Sequence, residues 1–216
     1  FGASLQQAGL AYTTAGKAAF ITGLYIVLVP LLGIFLKQRV GLNTWLGVVL
    51  AVSGLYFLSV NEDFTIAFGD LLEIIGAFFW AVHILVIDYF TKKVDALRLS
   101  CAQFAMCSAL SIITALIFED ISVSGLSQAA IPILYGGLLS VGVAYTLQVV
   151  AQKHAKPSHA AIILSMEAVF AALGGALLLK ENMGVRGYLG CALMFAGMLL
   201  TQVNFFEKKE SAEYKA

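Results

Sequence analysis

Leu36-Lys37-Gln38, Trp45-Leu46-Gly47 and Gly54 return later in the chain as Leu179-Lys180-Glu181, Tyr188-Leu189-Gly190 and Gly197, at a constant displacement of 143 residues. Upstream, Leu5-Gln6 matches Leu147-Gln148 at a displacement of 142, and the apolar segment between the two landmarks aligns with one residue gained. Recurrence of this kind in an apolar chain points to a membrane transporter assembled from two related halves. The number of membrane crossings between the copies decides how those halves are oriented.

Composition supports the membrane setting. The 216 residues are 60% hydrophobic and 12% charged, with a mean hydropathy of +0.90. A soluble domain carries about 25% charged residues, and half that figure leaves too few charges to cover a water-facing surface. The formal net charge of zero gives a nucleic-acid partner no electrostatic support. Cys101, Cys107 and Cys191 are odd in number and lie inside apolar segments. They read as small core residues, not as a disulfide framework or a metal site, and no cofactor is expected.

Apolar runs set against breakers predict an all-α integral membrane bundle with eight spans. These are Phe1 to Thr13, Lys17–Leu36, Thr44–Val60, Gly69–Phe90, Leu97–Phe118, Ala130–Gln152, Pro157–Leu179 and Gly184–Val203. Every run but the first is long enough to cross a hydrocarbon core of about 30 Å as a helix and too long for a barrel strand. Ten of the thirteen Lys and Arg fall on one side: Lys37, Arg39, Lys92, Lys93, Arg98, Lys153, Lys156, Lys208, Lys209 and Lys215. Lys17, Lys180 and Arg186 fall on the other, with Glu62, Asp63, Glu119 and Asp120. The positive-inside rule makes the rich side, with the C-terminal tail, cytoplasmic.

Lys17–Leu36 then runs inward and its repeat partner Pro157–Leu179 runs outward. The copies are five spans apart, so the two halves are inverted repeats of five helices each. Residues 1–60 would be the last three spans of the first repeat, 69–204 a complete second repeat, and 205–216 a cytoplasmic tail. Phe1 is not Met and lies inside an apolar run, so two further spans are expected before it, ten in all.

Three stretches carry a family resemblance: Ala19-Phe-Ile-Thr-Gly-Leu-Tyr25 through Val29-Pro30, Gly142-Val-Ala-Tyr-Thr-Leu-Gln148, and Ala160-Ala-Ile-Ile-Leu-Ser-Met-Glu-Ala-Val-Phe-Ala171 followed by Leu178–Glu181. In their order and spacing they resemble the EamA-type transporters of the drug/metabolite transporter superfamily, over nearly the whole chain. Ala168 stands where that family often has Pro, and Gln38 where its first half often has Glu. The resemblance implies translocation of a small metabolite or drug-like solute across the cytoplasmic membrane by alternating access, with Lys17–Leu36 and Pro157–Leu179 lining a central cavity.

Polar residues within the spans are the candidates for a substrate or proton pathway. Glu167 lies ten residues into its span, where an ionised carboxylate costs roughly 2.5–3.5 kcal/mol on insertion scales. It is expected to face inward and to bind substrate or a coupling proton. The other reading is a Glu hydrogen-bonded between helices. His83, with Trp80 three residues earlier on the same face, either binds substrate or is an interhelical hydrogen-bond partner. Gln6 and Gln148 hold matching places in the two repeats, with Tyr145 one turn before Gln148, and Tyr25 aligns with Glu167.

Gly47 with Gly54 and Gly190 with Gly197 each share a helix face and read as packing positions, as do Gly174 and Gly175. Pro30 should kink its span. Asp88 reads as an interfacial ion pair with Lys92 or Lys93. The partners expected are a small solute, a proton and the lipid bilayer. An intramembrane enzyme would need a nucleophile with a base or clustered ligands, and no such arrangement is present. A non-transporting scaffold or sensor would leave the repeat and Glu167 without a role.

The charge asymmetry generates a test of orientation. Single cysteines placed at Lys92 and at Asp120 are expected to differ in intact cells: a membrane-impermeant thiol reagent labels position 120 and not position 92. The reverse pattern would invert the topology.

Overall fold

The computed structural model describes residues 1–13, 15–38, 40–59, 68–118, 122–178 and 184–202. Arg39, the two acidic pairs, the second copy of the landmark at Leu179–Glu181 and the tail lie outside them. Every regular element among the described residues is helical. They are α1 (Gly2–Leu10), α2 (Ala15–Gly23), α3 (Tyr25–Phe35), α4 (Leu42–Ser59), α5 (Phe68–Thr91) and α6 (Ala96–Phe118). The short α7 (Val123–Gln128) and α8 (Ala130–Leu134) lead into a π-helical stretch, Tyr135–Tyr145, and then come α9 (Thr146–Gln152), α10 (Pro157–Leu164), α11 (Met166–Leu178) and α12 (Gly184–Gln202).

Among the described residues, five helical segments are long and apolar enough to cross a membrane: Ala18–Phe35, Phe68–Thr91, Ala96–Phe118, Ala130–Gln152 and Gly184–Thr201. Leu42–Phe57 and Pro157–Phe170 are shorter apolar helices. The 24 residues of α5 reach about 36 Å, more than a hydrocarbon core. The nine of α1 reach only about 13 Å.

Packing divides the chain into two compact units, Phe1–Leu85 with Lys156–Ala216, and Val86–Ala155. The repeat boundary read from the sequence falls within the first of them. Its framework is the antiparallel pair α4 and α12. A Cβ on Gly54 would sit 2.5 Å from the Gly190 carbonyl oxygen and 2.7 Å from the Met194 nitrogen. A Cβ on Gly47 would sit 2.8 Å from the Gly197 carbonyl oxygen, and one on Gly197 2.7 Å from that of Gly47. No side chain fits at those distances, so the two backbones touch because these positions are glycine. The contacts are also reciprocal. Gly47 meets Gly197, the residue 143 positions after Gly54, and Gly54 meets Gly190, the residue 143 positions after Gly47.

Val48, Ala51, Leu55, Cys191 and Met194 form the centre of the core around this seam. Phe20, Ile21 and Ile26 from α2 and α3, and Ile162, Met166 and Val169 from α10 and α11, close over it. A second cluster joins Val29 of α3 to Ala81, Ile84 and Leu85 of α5 and to Ala161 of α10.

Both helices that flank the seam are interrupted. At Leu24 the Val27 N–H donates to the Leu24 carbonyl at 2.9 Å, three residues back in place of four. At Ser165 the Ala168 N–H donates to the Ser165 carbonyl at 3.1 Å in the same way. The Ser165 hydroxyl also donates to the Ile162 carbonyl at 2.7 Å, a back-bond that bends helices. The interruption in the second helix thus needs no proline. Pro30 lies buried inside α3, which continues through it. The landmark Leu36-Lys37-Gln38 is a helix cap: Lys37 takes a φ of 59°, and the N–H groups of Lys37 and Gln38 donate to Ile34 and Gly33 at 2.9 Å each.

In the second unit Ile87, Ala96 and Val149 form a small cluster. The expected ion pair at Asp88 is present, with Lys92 Nζ 2.8 Å from Oδ2. Most of α6 is exposed, including Met106, Leu110, Ile113 and Leu116. Only Cys191 is a core residue; Cys101 and Cys107 are exposed on α6. Position in an apolar run did not separate these three thiols, because a membrane helix can turn apolar side chains outward at no cost. Gly174 also differs from the seam glycines, since a Cβ there would meet nothing within 4 Å.

Gly54→Ala is expected to lower stability by about 1–3 kcal/mol, because the added methyl overpacks against backbone atoms that cannot yield. Gly136→Ala, with open space around it, should leave stability unchanged. Unfolding of both variants in mixed micelles checks the pair.

Candidate functional site

Two carboxylates near the start of α5 are buried in the first unit. Asp70 is 2% exposed and Glu73 is 0% exposed. They stand one turn apart and share a helix face. Asp70, in the first helical turn, also meets the positive end of the helix dipole. Thr13, just after α1, donates its hydroxyl to Asp70 Oδ1 at 2.5 Å. Thr22, in the last turn of α2, donates to Glu73 Oε2 at 2.7 Å. The other oxygen, Glu73 Oε1, is buried with no hydrogen-bond partner.

Glycine makes room for this group. A Cβ on Gly9 of α1 would lie 2.6 Å from Glu73 Oε1, and one on Gly69 would lie 2.7 Å from the Gly9 carbonyl. Helices α1 and α5 therefore approach backbone to backbone, and the Glu73 carboxyl fills the space left by Gly9. An apolar recess of about 220 Å³ is lined by Ile21, Leu24, Val27, Leu28, Ile74 and Ala77. Its walls come from α2, α3 and α5, and it spans the interruption at Leu24.

The residues singled out from the sequence are distributed as follows. Glu167 occupies the first turn of α11, immediately after the interruption, and its side chain is exposed. Its neighbours Met166 and Val169 turn the other way, into the core. Tyr25 is the first residue of α3, immediately after the matching interruption, and packs against both core clusters. Trp80 and His83 are half-buried on α5, with their rings edge to face and 5.9 Å between centroids. Gln6 is half-buried on α1.

Tyr145 and Gln148 belong to the second unit. Tyr145 ends the π-helical stretch, and the Gln148 amide donates to Gln152 Oε1 at 3.2 Å. Tyr25 is thus the first residue after its break and packs on the core, as Met166 does after the other, whereas Glu167 is one residue further on and exposed; Trp80 is paired with His83. The structure adds Asp70, Glu73, Thr13 and Thr22, which the sequence reading passed over. A signal for them exists: Gly69, Glu73 and Gly76 are spaced to share one helix face, and a carboxylate between two glycines marks a surface that another backbone approaches. No cluster of three or more ligating side chains is present among the described residues.

The profile of the EamA-like transporter family matches residues 1–60 and 67–203. An uncharacterized transporter of Archaeoglobus fulgidus is 32% identical over 212 residues, covering 94% of this chain and 65% of the relative. Uncharacterized transporter YoaV of Bacillus subtilis is 23% identical, covering 93% and 71%. An uncharacterized transporter of Methanothermobacter thermautotrophicus is also 23% identical, covering 91% and 59%. The chain therefore spans about two thirds of these relatives' lengths. One solved crystal structure shares the fold with a TM-score of 0.73 at 20% identity, covering 91% of this chain and 70% of that one.

Thr22→Val should destabilise the fold by about 1–3 kcal/mol, because it removes the donor to a carboxyl that is sealed from solvent. Thr22→Ser, which keeps the hydroxyl, should restore most of the loss. Equal stability of the two variants would show that the Thr22–Glu73 bond contributes nothing.

Proposed function

The chain belongs to the EamA-like transporter family, and on that premise we propose that it is a secondary transporter moving a small metabolite or drug-like solute by alternating access. The relatives' names support transport of some kind. The observation that carries the mechanism is the matched pair of broken helices. Carriers with inverted repeats place their sites at discontinuous helices near the bilayer midplane, where half-helix ends can meet polar groups of the substrate. Here α2–α3 breaks at Leu24 and α10–α11 at Ser165; Tyr25 is the first residue after one break and Glu167 the second after the other.

The reciprocal glycine contacts between α4 and α12 support reading the chain as built from two inverted repeats. Tyr25, Glu167, Trp80, His83 and Gln6 are the proposed lining of the pathway in the first unit; Gln148, which matches Gln6 in the repeat, and Tyr145 are the pathway candidates of the second unit. Glu167 is the residue that engages a cationic or polar group of the solute. The cytoplasmic membrane with an inside C-terminus is the proposed location, on the charge asymmetry. Nothing in this reading calls for catalysis.

The test is flux in proteoliposomes containing the full-length protein, over a panel of labelled cationic, zwitterionic and neutral solutes. At least one class should move faster than in protein-free vesicles. Glu167→Gln keeps the shape and hydrogen-bonding capacity but not the charge, and should lower that rate about tenfold or more with unchanged thermal stability. An unaltered rate would remove Glu167 from the pathway. Absence of flux across the panel would favour a scaffold.

A further inference from the structure

We propose that Glu73 is a proton-binding site of this carrier, a single carboxyl group that takes up and releases one proton between α1, α2 and α5. The proposal deepens the transport reading and rests on it for its purpose. The group is fully buried, receives one hydrogen bond, from Thr22, and has a second oxygen, Oε1, without a partner. Ionised, it would be a charge sealed from water with one donor for roughly four lone-pair sites. Protonated, it is neutral, and the proton occupies capacity that no protein donor fills. The described surroundings thus offer the carboxyl one hydroxyl and room for one hydrogen.

A hard metal cation fits less well. Calcium or magnesium would need about six oxygen ligands, whereas the oxygens bonded here are the Glu73 carboxylate and the Thr22 hydroxyl. No cluster of three or more acidic, histidine or cysteine side chains occurs among the described residues. The ionisable groups around Glu73 are few. Asp70 stands one turn earlier on α5 and is held by Thr13. Helix α1 has none, and Tyr12 beyond it lies against Gly69. Helix α2 carries Lys17 alone, whose side chain is outside the described residues.

The position of the group gives the proton something to act on. Thr22 lies two residues before the interruption at Leu24, so its bond to Glu73 ties the end of α2 to α5 beside the break. Losing the proton leaves a charge that favours opening toward water; regaining it favours the sealed arrangement. Helix α2 can move as a lever because the chain is already broken at Leu24.

Proton binding can be read without a substrate. The full-length protein in lipid nanodiscs is taken between acidic and alkaline buffers, and the infrared difference spectrum is recorded in the carbonyl-stretch region of neutral carboxylic acids. The parent should show a band that appears on acidification. Glu73→Gln should lack it and Glu167→Gln should keep it. Thr22→Val should shift its frequency, since the acid loses its hydrogen bond; this variant carries the test if Glu73→Gln does not fold. The proposal is overturned if the parent has no such band, if Glu73→Gln retains it while Asp70→Asn loses it, or if sodium chloride in place of choline chloride abolishes it at constant pH. A band without flux would remove the transport reading and leave the proton site. Flux without a band would remove the proton site alone.

Discussion

The backbone contact between α4 and α12 is the constraint on which the first unit depends. In a bilayer, apolar side chains gain little by leaving lipid for protein, so helices hold together where close fit adds dispersion contacts. Gly47, Gly54, Gly190 and Gly197 supply that fit by bringing carbonyl oxygens of one helix to the Cα atoms of the other. Side chains of α2, α3, α10 and α11 are laid over the seam. Ile26 and Leu55 on one side, and Ile162 and Met194 on the other, are almost completely enclosed around it. The two interrupted spans rest on this rigid pair, so a bend at Leu24 or at Ser165 can alter without the framework coming apart.

Two kinds of carboxylate occupy this framework, and their environments differ. Glu167 is exposed beside a helix break, at a helix N-terminus that favours negative charge. Glu73 is sealed, with one hydroxyl bonded to it and glycine making room for it. On the proposed transport reading, the first would meet a solute and the second would hold a proton. Separation of the two roles would let solute and proton influence each other through α2 and α3, without competing for one side chain. That link is a coupling between two sites, which requires each to respond to the occupancy of the other.

Much of the fold was legible in the amino-acid order. Apolar run lengths and breakers marked Thr44–Val60, where α4 occupies Leu42–Ser59, and Gly69–Phe90, where α5 occupies Phe68–Thr91. Pro157 marked the start of α10, where proline needs no N–H partner. Asp88 and Lys92, four residues apart on one helix, were readable as a pair because helical spacing brings them together. The candidate site was less legible. Depth along a span was used as the measure of burial, and by that measure Glu167 is central and Glu73 near an end. Burial instead follows from which neighbours cover a face. The cover of Glu73 comes from Gly9 and from Thr22, 51 residues away in sequence.

By itself, then, the sequence determined a helical membrane chain of a transporter family, the places of several of its helices, and glycines that recur at a fixed spacing. Each of these follows from local periodicity, composition or self-similarity, which are properties of the chain alone. The tertiary structure decided that the repeated glycines meet one another across α4 and α12, that two spans break at matching points, and that Glu73 rather than Glu167 is enclosed. Those outcomes depend on distances between segments remote in sequence. A carboxylate's environment in a membrane is set by the helices around it, and their approach is governed by where side chains are missing as much as by where they are present.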